Sequence, residues 1–363
     1  MLDERALPAS LQEVSGHAFC GPSPRSCRRA MSAQCSSAGD RVRHITQDRF
    51  DSTERRKHAN LNASKAPDRN VDPMDHLYTD DDTGNLVLLE HVNLRVPDPL
   101  LATAFYVSGL GLTRDPFMMT GVDNMWINIG RSQIHLPTGK AQRLRGSVGI
   151  VVGERDALVA RLQAVAPLLG NTRFGWTEHT DHVEVTCPWG NRYHCLDPQR
   201  RPASAPWSKI DLGMAFVKLD VPVGSAAGIA GFYHDVFGTP VDVKDHGGLP
   251  CAVIDIGTHQ QLLYAETQDA IPEYDGHHIA IYAARFSGPY ARLAAHGVAY
   301  REEPHQFRFA SIVNPESGAR CFELEHEVRS LHHPLYARPL VNRNPQQTNR
   351  HYQKGADSRS GAF

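Results

Sequence analysis

The sequence predicts an α+β protein of four strand–helix–strands units, joined two by two. Three observations predict it. The chain repeats itself internally, its apolar periodicity switches between 2.0 and 3.6 in a recurring order, and a Pro/Ser/Arg stretch divides its folded part into two similar halves. The repeat is direct. Ala104-Phe105-Tyr106 followed by Leu110-Gly111 matches Gly231-Phe232-Tyr233 followed by Phe237-Gly238. The same spacing relates Ile127-Asn128-Ile129-Gly130 to Ile254-Asp255-Ile256-Gly257. Upstream, Leu94-Arg95-Val96-Pro97 matches Leu219-Asp220-Val221-Pro222, and Ala160-Arg161-Leu162 matches Ala291-Arg292-Leu293.

In order along the chain, Leu88 to Val96 alternates as a strand. Leu100, Leu101, Ala104 and Phe105 follow helical spacing, with Ser108-Gly109 as the exit. Short strands follow around Met125–Ile129 and Gln133–Leu136. The cycle restarts with a strand at Val148–Val152 and a helix carrying Leu158, Leu162 and Val165. Strands around Val183–Val185 and Tyr193–Leu196 complete it. The second half has a strand at Met214–Val221 and a helix with Ile229, Phe232, Tyr233, Val236 and Phe237. It continues with a strand at His278–Tyr282, a helix with Phe286, Tyr290 and Leu293 closed by Gly297, and a last strand at Cys321–Glu325. Phe105-Tyr106 and Phe232-Tyr233 are expected to be helix packing residues.

The predicted organisation is therefore a disordered or targeting extension over 1–84 and a first domain over 85–198. A linker over 199–209, a second domain over 210–333 and a polar tail over 334–363 follow. The extension is rich in Arg, Ser, Asp and Asn and has no sustained apolar period, so burial cannot offset its ordering entropy. Its basic, Ser-containing stretch Arg25 to Gly39 keeps organelle targeting open as an alternative. Leu331 to Asn344 has no functional reading.

Composition narrows the function. Lys+Arg 38 against Asp+Glu 40 leaves a net charge of −2, which excludes a charge-driven phosphate-backbone binder and a polybasic membrane-surface protein. No apolar run approaches the roughly 18–20 residues of a bilayer span. The 7 cysteines form no CxxC and are odd in number in a long chain, so a reducing, cytoplasmic location is expected rather than a disulfide scaffold. No GxxxxGK[ST], strand-following GxGxxG or GxSxG occurs. Several of the 20 histidines lie inside apolar strand runs, which makes them candidate ligands.

Leu89-Glu90-His91-Val92-Asn93-Leu94-Arg95-Val96 with a following Phe-Tyr-x3-Leu-Gly, Pro188-Trp189-Gly190-Asn191-Arg192-Tyr193-His194, His278-Ile279-Ala280-Ile281 and Phe322-Glu323-Leu324-Glu325 together resemble the vicinal-oxygen-chelate superfamily: glyoxalase I, bleomycin-resistance proteins and type I extradiol dioxygenases. The resemblance covers roughly residues 86–330. It implies βαβββ modules paired into two glyoxalase/dioxygenase-like domains, each curling a sheet around a metal and a small chelating substrate. It also implies ligands on the first and last strands of the modules. Carried over, those positions fall on His91, His135, Ser147 and His194 in the first half. In the second half they fall on Phe216, Leu262, His278 and Phe322, with Glu323 one residue further.

The expectation is thus a divalent metal ion (Fe, Zn, Ni or Mn) held by His91, His135 and His194. His278 and Glu323 form a weaker set in the second domain, and Ser147, Trp176 and Phe216 line a substrate cavity. Such an ion would bind two vicinal oxygens of a small substrate and act as a Lewis acid, in a dioxygenase-like or glyoxalase-like reaction. Glu90 neighbours His91 and is expected to point to the other face; no catalytic base is named. The rival reading is a metal-free small-molecule binding protein of the bleomycin-resistance kind, favoured by Ser147, Phe216 and Leu262 at ligand positions. The expected partner is a small-molecule substrate, with no nucleic acid and no membrane. The resemblance adds a homodimer as one expected assembly.

Overall fold

The computed structural model describes residues 82–116, 123–200 and 202–338. The readings made of residues 1–81 and 339–363 lie outside that range. The first module runs β1 (Leu86–Asn93), α1 (Pro99–Ala102, continued by π-type turns over Thr103–Gly109), β2 (Thr113–Arg114), β3 (Asn124–Ile129) and β4 (Ser132–Pro137). The second runs β5 (Gly146–Val151), α2 (Arg155–Leu169), β6 (Gly175–Glu178), β7 (His182–Thr186) and β8 (Arg192–Leu196). The third runs β9 (Gly213–Pro222), α3 (Ala226–Phe237), β10 (Val241–His246), β11 (Leu249–Ile256) and β12 (Gln260–Thr267). The fourth runs β13 (His278–Ala283), α4 (Ser287–Ala295), β14 (Tyr300–Glu303), β15 (Gln306–Val313) and β16 (Arg320–Ser330). Four βαβββ modules are therefore present, and the class is α+β. No described helix is long and apolar enough to cross a membrane.

The modules pair differently from the expectation. One eight-stranded sheet has the order β14-β15-β16-β13-β1-β4-β3-β2, and the other β10-β11-β12-β9-β5-β8-β7-β6. The first module shares a sheet with the fourth, and the second with the third. The division into 85–198 and 210–333 does not describe how the sheets are built. The reason is local. Within a module the first strand pairs in parallel with the last: β1 with β4, β5 with β8, β9 with β12 and β13 with β16. That leaves one edge of each first strand open. Any other module's first strand can fill it, since the four carry similar apolar patterns. β1 takes β13 and β5 takes β9, both antiparallel.

The sequential halves survive in the aromatic core. Phe105 and Tyr106 of α1 meet Tyr193 of β8, with ring centroids 5.8 and 5.7 Å away and a Tyr106–Tyr193 hydroxyl hydrogen bond of 2.7 Å. Phe232 and Tyr233 of α3 likewise meet the fourth module. Phe232 lies 5.7 Å from Phe309, and the Tyr233 hydroxyl donates to His326 Nε2 at 2.5 Å while His326 Nδ1 donates to the Leu324 carbonyl. All four helix aromatics are buried, as their spacing predicts. Helix aromatics join the first module to the second and the third to the fourth, while strands join the first to the fourth and the second to the third. α1 starts where Asp98 accepts the Leu100 and Leu101 amides with Pro99 behind it, and α3 stops at a left-handed Gly238.

Candidate metal centre

The first sheet presents one polar face. Along its central rows, Glu325 faces His278, which faces Asn93, which faces His135, which faces Trp126. One row over, Glu327, Ala280, His91, Gln133 and Asn128 stand side by side. Strand alternation puts all of these side chains on the same side. β1 and β13 are antiparallel, so His91 opposite Ala280 and His278 opposite Asn93 are related by a local two-fold. The same two-fold relates His135 on β4 to Glu327 on β16.

His91, His278 and Glu327 come together. Each offers a ligand atom within 4.8 Å of the others, and the His91 and His278 ring centroids are 5.6 Å apart. His135 is next to them, its ring 5.8 Å from His91, but both of its nitrogens are engaged. Asn93 Nδ2 donates to Nδ1 at 2.6 Å, Nε2–H donates to the Asn124 side-chain Oδ1, and the ring stacks on Trp126 at 3.8 Å.

A β-bulge shapes the site. Between the pairs Leu89–Ile281 and His91–Ala280, β1 spends one residue more than β13. The extra residue is Glu90, and it turns inward instead of to the opposite face that simple alternation assigns it. Its carboxylate accepts His91 Nδ1–H at 2.5 Å and is ion-paired to Arg329 at 2.9 Å. Glu90 thereby sets the tautomer, leaving the His91 Nε2 lone pair free. That atom is buried and has no hydrogen-bond partner. Burial alone would raise the Glu90 pKa, but Arg329 and His91 outweigh it and hold it at about 2. Burial likewise opposes ionisation of Glu327, and Arg329, His91 and Arg308 overcome it, keeping it below the ordinary carboxylate value. Arg308 and Arg329 both pair with Glu327. Burial, with His91 and Arg308 adding to it, pushes His278 well below its usual pKa, so its imidazole is neutral.

Other expected ligands lie elsewhere. His194 is in the second sheet, opposite Gly149 on β5 and 3.6 Å from Glu184, because the second module does not pair with the first. Glu323 sits at the far end of β16, where its carboxylate is ion-paired to Arg320 at 2.8 Å. The last strand runs five residues beyond the expected end at Glu325, and that extension carries Glu327. A signal for it was present: His194 and Glu327 occupy matching places, His194 opposite Gly149, two residues after Ser147, and Glu327 opposite Ala280, two residues after His278. The expected cavity residues also lie in the second sheet. Ser147 is buried on β5 with its hydroxyl unpartnered, Phe216 packs its ring over Gly149, and Trp176 packs beside Phe174 on the edge strand β6. A Cβ on Gly149 would fall 2.3 Å from the Phe216 ring. The second sheet thus has the Phe216 ring, opposite Gly149, at the place where the first sheet has His91 opposite Ala280.

The segment after β16 closes one end of the polar face. Tyr336 packs on Tyr282 with centroids 4.9 Å apart, and buried Arg338 is paired to Asp115 at 2.6 Å and reaches Gln133. A cavity of about 340 Å³ remains beneath it, walled by Glu90, Gln133, Tyr282, Tyr336 and Arg338. That volume suits a small molecule.

No family model matches the sequence, and no curated protein matches it. Solved structures do. Glyoxalase I from Zea mays aligns over 67% of this chain and 92% of its own at 14% identity, with a TM-score of 0.47. A point variant of the same protein aligns over 68% and 94% at 14% identity, with a TM-score of 0.49. A 2,3-dioxygenase from Pseudomonas sp. KL28 aligns over 69% and 93% at 13% identity, with a TM-score of 0.26. The strand order of each sheet, two modules with their first strands antiparallel at the centre, decides the architecture. That two-module sheet is present twice.

Within that fold the donor set fits a divalent ion. Two neutral imidazoles and one carboxylate leave coordination positions open, and a carboxylate behind a ligand histidine is the usual outer partner of a metal site. Glu90→Gln is expected to weaken divalent-ion affinity by about 10–100-fold, as loss of such a partner does elsewhere. Calorimetric titration of the variant with zinc checks this; unchanged affinity would remove Glu90 from the site.

Proposed function

We propose that this chain is a metal-dependent enzyme acting on a small oxygenated molecule, dioxygenase-like or glyoxalase-like in type. The observation that carries the reading is the convergence of His91, His278 and Glu327, together with a buried His91 Nε2 that has no hydrogen-bond partner. A set of two histidines and one carboxylate suits Fe(II) in particular, while Zn, Ni and Mn accept the same donors. The bound ion would polarise a substrate oxygen as a Lewis acid.

The protein's own residues divide the remaining work. Glu90 orients His91. Arg308 and Arg329 fix the Glu327 carboxylate. His135, held flat against Trp126, forms a wall of the site next to the ligands. The cavity beneath Tyr336 gives a small substrate access on the Glu90 side. Two vicinal oxygens on that substrate would fill open positions left by three protein ligands.

The rival is a metal-free binding protein. It is favoured by the two guanidiniums that already neutralise Glu327. Thermal unfolding of chelator-treated protein, with Fe(II), Zn, Ni and Mn added back one at a time, separates the readings. Metal dependence predicts saturable stabilisation by at least one ion, reversed by chelator. Identical melting in all conditions, with stabilisation by a vicinal-oxygen compound that ignores chelator, would establish the rival instead.

A further inference from the structure

We propose that Arg145 forms a second small-molecule site, for a flat monocarboxylate, independent of the metal centre. Arg145 immediately precedes β5. It lies where the start of β5, the loop between β12 and β13 and the start of β16 meet, against a cavity of about 540 Å³. The residue is only 8% exposed. Its guanidinium is stacked on Phe322 at 4.1 Å and Tyr274 at 4.9 Å. One terminal nitrogen donates to the Glu323 carbonyl, while Nε is buried with no acceptor.

Among the described residues, no carboxylate lies within ion-pair distance of this guanidinium. Buried charges are ordinarily paired, because taking one out of water is costly. Arginine's planar fork matches a carboxylate edge-on, and the flanking rings offer faces to a flat apolar body. The rim sets the charge of the ligand. Glu323 is tied to Arg320 at 2.8 Å, whereas Glu273 is exposed on the rim, has no ion pair among the described residues and repels further negative charge. A monoanion therefore fits better than a phosphate dianion. The site also gives Glu323 a place that metal ligation does not: its carbonyl anchors the arginine.

Benzoate, benzamide and inorganic phosphate are the probes, titrated calorimetrically into the full-length, metal-loaded protein. Benzoate is expected to bind saturably at one site in the millimolar range, with benzamide and phosphate at least about tenfold weaker. Arg145→Lys is expected to weaken benzoate about tenfold, since a lysine cannot make the paired contact. Glu273→Gln, an exposed change, should tighten it about two-fold at low salt. His91→Ala should leave it unchanged. The site is refuted if benzoate shows no saturable binding, if benzamide binds equally well, or if His91→Ala abolishes binding while Arg145→Lys does not. Should Arg145→Lys fail to fold, the Glu273→Gln and His91→Ala results decide alone.

Discussion

Replacing His278 by alanine is expected to lower divalent-metal affinity by about 10²–10³-fold, and replacing His194 to leave it unchanged. A structural four-ligand zinc site binds with about 10–16 kcal/mol, so each ligand accounts for roughly 3–4 kcal/mol, or two to three decades. His91→Ala and Glu327→Gln should fall in the same range as His278→Ala. Glu323→Gln should not, because its carboxylate faces Arg320 at the other end of β16. The series tests the pairing of modules as much as the ligands. A site built within the first half would use His194, whereas one built across the halves uses His278 and Glu327. Calorimetry with a single ion on all five variants gives the answer. Equal losses for His194→Ala and His278→Ala would contradict the shared sheet of the first and fourth modules.

The largest effect on stability is expected at Arg329. This side chain is almost fully buried between two carboxylates, Glu90 at 2.9 Å and Glu327. Arg329→Met removes the cation and strands both acids, a loss of about 3–5 kcal/mol by comparison with other broken buried pairs. The pH dependence has a definite sign. Glu90 titrates at about 2 in the fold against 4.5 normally, so the stability it contributes is fully present above pH 4.5 and is lost as pH falls through 2. Much of that lowering comes from Arg329. The gap between wild type and variant should therefore be widest at neutral pH and narrow below about pH 4, where a stranded carboxyl can take up a proton. Denaturant unfolding of chelator-treated proteins at pH 7 and at pH 3.5 measures it. A gap of the same size at both values would show that Arg329 acts through packing alone.

Two of the three residues of the candidate site, His91 and His278, were legible as strand histidines. His91 and His278 lie at matching places in two modules, and both prove to be neighbours of one another in the first sheet. His135 was legible as a member of the same face, though its nitrogens go to Asn93 and Asn124. Glu327 was harder. Glu323, Glu325 and Glu327 alternate on β16 and share one side of the strand, so only the register against β13 separates them. Glu90 was not legible at all. Alternation sends it away from His91, and the bulge that reverses it exists only where β1 and β13 pair.

The sequence by itself determined the four modules, their order of strands and helices, and the aromatic packing residues. Those depend on periodicity and turn chemistry within a few tens of residues, where local preference and burial agree. Which modules share a sheet was decided only in three dimensions. Each first strand exposes an open edge of similar apolar character, and local periodicity encodes no preference among partners until all four compete. That choice placed His278 and Glu327 beside His91, and it left His194 facing Glu184 in the other sheet, with Phe216 packed over Gly149.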